Sequence, residues 1–145
     1  LGTLLYQLKR YDEARIALER ALENPLYLYP ERIYNNLGLV EEALGKQKAA
    51  IDAYDRSIHL QQEFYLPFQN LGKLYFNSGN HDRAKDLLHE AARLCDECSE
   101  PRYYLGMVFM KRNQPDEALK IFKQGAKVDP NGYYGRLCAK YLVKE

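Results

Sequence analysis

At 145 residues the chain is long enough to bury a hydrophobic core and is one domain by length. Charged residues make up 28% of it, their signs are interspersed and they sum to +1, so no Lys/Arg stripe of a nucleic-acid binder emerges. The best apolar run, Tyr103–Met110, is interrupted by Gly106 and falls well short of a membrane span.

The predicted elements follow from a recurring pair. Leu-Gly stands at Leu1-Gly2, Leu37-Gly38, Leu71-Gly72 and Leu105-Gly106, at spacings of 36, 34 and 34 residues. Twelve residues after each Gly comes Ala (Ala14, Ala50, Ala84, Ala118), and four later a large apolar residue (Leu18, Tyr54, Leu88, Phe122). Three residues after each Gly the copies read Leu5, Glu41, Tyr75 and Phe109, a bulky filler except in the second copy. A period near 34 with i, i+4, i+7 apolar stripes predicts an array of helical hairpins. Gly is expected to let the two helices of a hairpin approach, with the Ala of the second helix filling the facing slot. A non-repetitive bundle has no reason to keep such a period.

Polar turns separate the helices of each hairpin: 9–13, 45–48, 79–82 and 113–116, where Gly, Asn and Pro stop one helix. Asp12, Asp82 and Asp116 place acid near the next N-terminus, where it complements the positive end of the helix dipole. The loop after the first hairpin is two residues longer and carries Pro25 and Pro30 around Leu26-Tyr27-Leu28-Tyr29, aromatic residues expected to pack over the hairpin edge. Leu1 falls midway along a first helix with no initiator Met, which predicts a fragment or processed chain. After Asp129-Pro130-Asn131-Gly132, residues 133–143 form one more amphipathic helix, the kind that caps a repeat array.

The Leu-Gly, aromatic, Ala, Phe/Tyr and closing Pro130 columns resemble the tetratricopeptide repeat family over essentially the whole chain. The resemblance implies an all-α, right-handed superhelical solenoid forming a single domain, 1–145. Its repeats run about 1–30, 31–64, 65–98 and 99–131, with a capping helix at about 133–143.

Cys95-Asp96-Glu97-Cys98 can be a redox pair, half a zinc site, part of a disulfide or a pair of plain thiols. A redox role wants a βαβ context that the pattern lacks. Zinc wants further ligands, and only His81 and His89 lie near in sequence. Three pairings of the three cysteines are open, and the reading favours a structural disulfide between Cys98 and Cys138, because Cys138 sits on the capping helix one repeat after the loop holding Cys98. By the chain-entropy argument a bridge over 40 residues would add about 3–4 kcal/mol, and it would imply an oxidising compartment.

No Ser-His-Asp order, paired catalytic carboxylates or phosphate loop stands out, and His59, His81 and His89 have no ligand-type partner at i, i+4. The expectation is a non-enzyme without cofactor or metal. In this architecture the first helices line a groove, and the stripe pointing into it reads Tyr6, Asn35, Leu39, Gln69, Lys73, Phe76, Tyr103, Met107 and Met110. Aromatic and Met side chains with a few amides suit an extended peptide or an amphipathic helix. Some family members clamp a C-terminal carboxylate; Arg32, Asn35 and Asn36 resemble that clamp, but Leu39 and Met107 stand where polar groups would be needed.

A narrower resemblance covers roughly residues 1–60. The Tyr11-Asp12-Glu13-Ala14 turn, the Pro25–Glu31 insert leading into Asn35-Asn36-Leu37-Gly38-Leu39-Val40, and Ala53-Tyr54-Asp55-Arg56-Ser57 are similar to the pilotin lipoproteins of type IV pilus systems. That resemblance implies a periplasmic, outer-membrane-associated scaffold. Its protein partner would be a secretin subunit, and it would meet the membrane only through an anchor not in this chain. The alternatives are a cytoplasmic adaptor or co-chaperone for a different peptide, and a regulatory fragment of a larger enzyme.

Overall fold

A computed structural model describes residues 1–143, and every regular element in them is a helix, as the 34-residue period predicts. The helices are α1 (Gly2–Gln7), α2 (Tyr11–Leu22), α3 (Pro30–Ala43), α4 (Gln47–Leu60), α5 (Tyr65–Asn77), α6 (His81–Leu94), α7 (Glu100–Lys111), α8 (Pro115–Val128) and α9 (Tyr133–Leu142). None of them is long and apolar enough to cross a membrane. The chain divides into two compact units, residues 1–67 and residues 68 onward, and the division falls inside α5.

Local chemistry sets the helix boundaries. Pro30, Pro101 and Pro115 stand in first turns, where a missing N–H costs nothing. Asp12, Asp82 and Asp116 lie in the first turns of α2, α6 and α8. Asn80 caps α6 by accepting from the Arg83 N–H at 3.3 Å. Each hairpin turn holds one left-handed residue at the same place: Lys9, Gly45, Gly79 and Asn113, with φ of +58°, +74°, +84° and +58°. Two of the four therefore carry a side chain where glycine is the relaxed choice.

In the first unit the core joins Leu5, Ala14, Leu18, Ile33, Leu37, Val40 and Ala53. Buried Ser57 donates its hydroxyl to the Glu31 carbonyl at 2.7 Å and ties α4 to the start of α3. In the second unit Ala118, Phe122 and Cys138 form a core cluster against Tyr103, Met107, Phe109 and Tyr141.

The four repeat alanines are wholly buried. What faces each Leu-Gly glycine, however, is the large residue four positions further on rather than the alanine. A Cβ on Gly38 would overlap the Tyr54 ring, one on Gly106 the Phe122 ring, and those on Gly2 and Gly72 would meet Leu18 and Leu88. Glycine removes a side chain so that a ring or isobutyl group can lie flat on the backbone of the first helix. The insert between α2 and α3 also departs from expectation. Tyr27 and Tyr29, expected to pack over the hairpin edge, are 43% and 51% exposed, and Leu26 and Leu28 82% and 79%; Asn24 closes a tight turn there, its Oδ1 accepting from Leu26 N at 3.0 Å.

Candidate functional site

The second unit gathers a tyrosine-rich surface from α5, α7 and α9. Phe76 meets Tyr104 edge-on at 5.9 Å, Tyr103 and Tyr104 lie 5.3 Å apart, and Tyr134 packs 5.6 Å from Tyr103 and 5.9 Å from Tyr104. Tyr133 continues the group against Tyr134. The rings are consecutive on one helix (Tyr103-Tyr104, Tyr133-Tyr134) or stand on different helices, so aromatic area accumulates without one continuous apolar run in the sequence.

Polar groups fix the rings. Lys73 Nζ donates to Glu100 Oε1 at 2.6 Å and lies 5.0 Å from the Tyr104 ring centroid. Burial, and then the hydrogen bond with Tyr104, pushes the Tyr134 hydroxyl well above its ordinary pKa. Burial also raises the pKa of Tyr103. The hydroxyls therefore stay protonated, able to donate or accept, at neutral pH. Tyr141 stacks on Phe122 at 4.3 Å and donates to Met107 Sδ at 3.2 Å. Tyr103, Leu137, Lys140 and Tyr141 line a pocket of about 200 Å³. Rigid aromatic area with a few fixed polar atoms is what holds a polypeptide segment.

The residues read from sequence fall into different environments. Lys73, Phe76, Tyr103 and Met107 are partly buried members of this surface or its support, and Met110 is exposed on the last turn of α7. Gln69 is 5% exposed, so its side chain is packed away rather than displayed. In the first unit Tyr6 packs against the core and Tyr11. Leu39 is partly buried, and Asn35, at 3% exposed, is a packing residue. The stripe drawn at i, i+4, i+7 rotates into the core at Asn35 and Gln69.

The stripe misses Glu100, Tyr104, Tyr133, Tyr134 and Tyr141. Tyr104 had a signal: the residue before Leu-Gly is Asn36 and Asn70 in the two preceding copies and Tyr104 in the fourth.

The cysteines pair differently from expectation. Cys95 is bonded to Cys98, with Cα atoms 5.4 Å apart, and Cys138 is a free, buried thiol; the expected Cys98–Cys138 bridge is absent. Two packing facts explain it. Cys138 Sγ occupies the space over Gly125 of α8. The Cys95–Cys98 loop is held to α7 by Arg102, whose Nη1 donates to the carbonyls of Cys95 (3.0 Å) and Cys98 (2.6 Å) and whose Nη2 donates to that of Ala92 (3.3 Å). This guanidinium serves the carbonyl end of α6 as a cap. No group of metal-ligating side chains is assembled among the described residues.

Two tetratricopeptide repeat family models match residues 1–63 and 75–141. BBSome complex member BBS4 of Bos taurus is 33% identical over 87 residues, 60% of this chain and 17% of that protein. Type IV pilus assembly protein PilF of Pseudomonas aeruginosa is 36% identical over 61 residues, 42% of this chain and 24% of that protein. The chain thus spans about a sixth to a quarter of these relatives' length. The solved structure of Pseudomonas aeruginosa pilF superposes with a TM-score of 0.86 at 22% identity, covering 99% of this chain and 65% of that one.

Proposed function

This chain belongs to the tetratricopeptide repeat family, whose fold is a protein–protein interaction scaffold, and on that premise we propose that it is a non-catalytic, pilotin-like factor assisting outer-membrane secretin assembly in type IV pilus biogenesis. The observation that carries the proposal is the 61-residue match to PilF at 36% identity. The tyrosine-rich surface supplies a physical means, since Phe76, Tyr103, Tyr104 and Tyr134 offer rigid aromatic area to a secretin segment. The location proposed with this role is periplasmic and outer-membrane-associated; the Cys95–Cys98 disulfide supports its oxidising compartment, where such bonds persist.

Co-purification of the secretin subunit with the tagged protein tests this reading. Phe76→Asp with Tyr104→Asp places two charges on the aromatic surface without touching the Phe122 core. The expected result is loss of the secretin with helicity unchanged by circular dichroism. Undiminished recovery by the folded double variant overturns the surface assignment, and no recovery by the wild type overturns the pilotin role.

The longer BBS4 match, 87 residues, favours a second reading as an adaptor within another multiprotein complex. A cytoplasmic location with three reduced thiols would select it.

A further inference from the structure

One position breaks the packing column three residues after each Leu-Gly. Leu5, Tyr75 and Phe109 fill it with apolar bulk, whereas the second hairpin has Glu41. Glu41 is only 8% exposed, and its Oε2 has no hydrogen-bond partner. A buried carboxylate without a counter-charge opposes folding, and an apolar residue there would serve the core better.

Glu41 lines a pocket of about 220 Å³ between α2, α3 and α4, together with Glu19, Tyr34, Leu37, Asp52 and Arg56. Three of those side chains are carboxylates. Among the described residues none of the three is ion-paired. The single cation of the lining, Arg56, is turned to Tyr34: its Nη1 donates to the Tyr34 hydroxyl at 3.4 Å and its guanidinium lies 5.7 Å from that ring. The pocket therefore has two carboxylates at the rim, Glu19 and Asp52, one almost buried in the wall, and apolar wall area from Leu37 and Ala53.

We propose that this pocket binds a primary ammonium group on an aliphatic stem, with Glu41 as the buried counter-charge, Glu19 and Asp52 completing the field and the stem lying along Leu37 and Ala53. A lysine side chain of a protein partner and a small alkylamine share this chemistry. An ammonium on a flexible stem can reach a recessed carboxylate, and desolvation strengthens the pair once it has formed. The site lies in the first unit and involves no residue of the tyrosine-rich surface, so it stands whichever partner that surface takes.

The test is a titration followed by backbone-amide NMR shifts, with n-butylamine and Nα-acetyl-lysine methylamide as probes and sodium chloride holding ionic strength constant. Saturating shifts at Tyr34, Glu41 and Ala53 are expected, and they should vanish in Glu41→Leu. That variant should also melt at a higher temperature than wild type when no amine is present, because it restores the apolar filler. Should Glu41→Leu fail to fold, Glu41→Gln keeps the shape without the charge and carries the comparison. Saturation by both probes assigns a lysine side chain, and saturation by butylamine alone assigns a small amine. Shifts that do not saturate, or that persist in the Glu41 variants, overturn the proposal.

Discussion

Tyr54 donates its hydroxyl to Glu42 Oε1 at 2.5 Å while its ring lies on the bare backbone of Gly38. One buried side chain thus closes the second hairpin twice, by packing and by a charge-assisted hydrogen bond. Burial first, and the Glu42 bond second, push the hydroxyl far above its ordinary pKa, so it remains the donor throughout the neutral range. Tyr54→Phe keeps the ring and removes the bond. It should cost about 1.5–3 kcal/mol in urea unfolding. A cost near zero would mean that the bond is not made in solution.

The same geometry predicts the effect of a single methyl. Gly106→Ala drives a Cβ into the Phe122 ring, which is fully buried and stacked on Tyr141, so the ring has little room to retreat. A loss of about 1–3 kcal/mol is expected for such overpacking. Ala at Gly45, where nothing lies within 4 Å, adds no clash but meets the left-handed backbone at φ +74°. Urea titration of both variants separates the steric from the conformational cost, the latter about 1–2 kcal/mol.

Lys9 offers the opposite change. It occupies the left-handed turn position that Gly45 and Gly79 hold in other copies. Lys9→Gly relieves that conformation and should raise stability by up to about 1 kcal/mol, since the greater freedom of the unfolded glycine offsets part of the gain. A lower melting temperature for this variant would refute the turn argument.

Cys138 gives a pH dependence. Burial pushes its thiol from an ordinary value of 9.0 up to about 11. A folded-state pKa above the unfolded one means that stability is complete below about pH 9 and falls as pH rises towards about 11. The loss is on the order of 2 kcal/mol. Cys138→Ala should flatten the lower part of that slope, leaving the decline that Tyr54, Tyr103 and Tyr134 add at higher pH through their own raised values. Identical slopes for wild type and variant between about pH 8 and about pH 10 would exclude the thiol as the cause.

The Cys95–Cys98 bond closes a short loop, so by chain entropy its removal is a modest perturbation. Cys98→Ser should lower stability by roughly 2 kcal/mol. Arg102 supplies the larger constraint, because its guanidinium satisfies three carbonyls at once. Arg102→Met leaves these acceptors unpaired and should cost about 3 kcal/mol or more. Thermal melts that rank the two variants in the reverse order would show that the bond, not the guanidinium, holds the loop.

The packing columns were legible because they repeat. Ala14, Ala50, Ala84 and Ala118 are all fully buried, and four copies of one spacing leave little choice of helix face. The candidate surface was less legible, since it lies where the copies differ. Tyr104 replaces an asparagine column, and Tyr134 belongs to a helix with no partner hairpin in the pattern. Asn35 and Gln69 look like surface amides by residue type yet are buried, which only the rotation of α3 and α5 reveals. The cysteine pairing escaped because spacing along the chain says nothing of Gly125, whose missing side chain gives Cys138 its own seat.

The glycine-to-ring contacts bear on the order of events in synthesis. Gly2 with Leu18, Gly38 with Tyr54, Gly72 with Leu88 and Gly106 with Phe122 each join residues 16 positions apart. Contacts so close in sequence close quickly, because little chain must be searched to form them. A nascent chain could therefore lock each hairpin as its second helix leaves the ribosome, before the following hairpin has been translated.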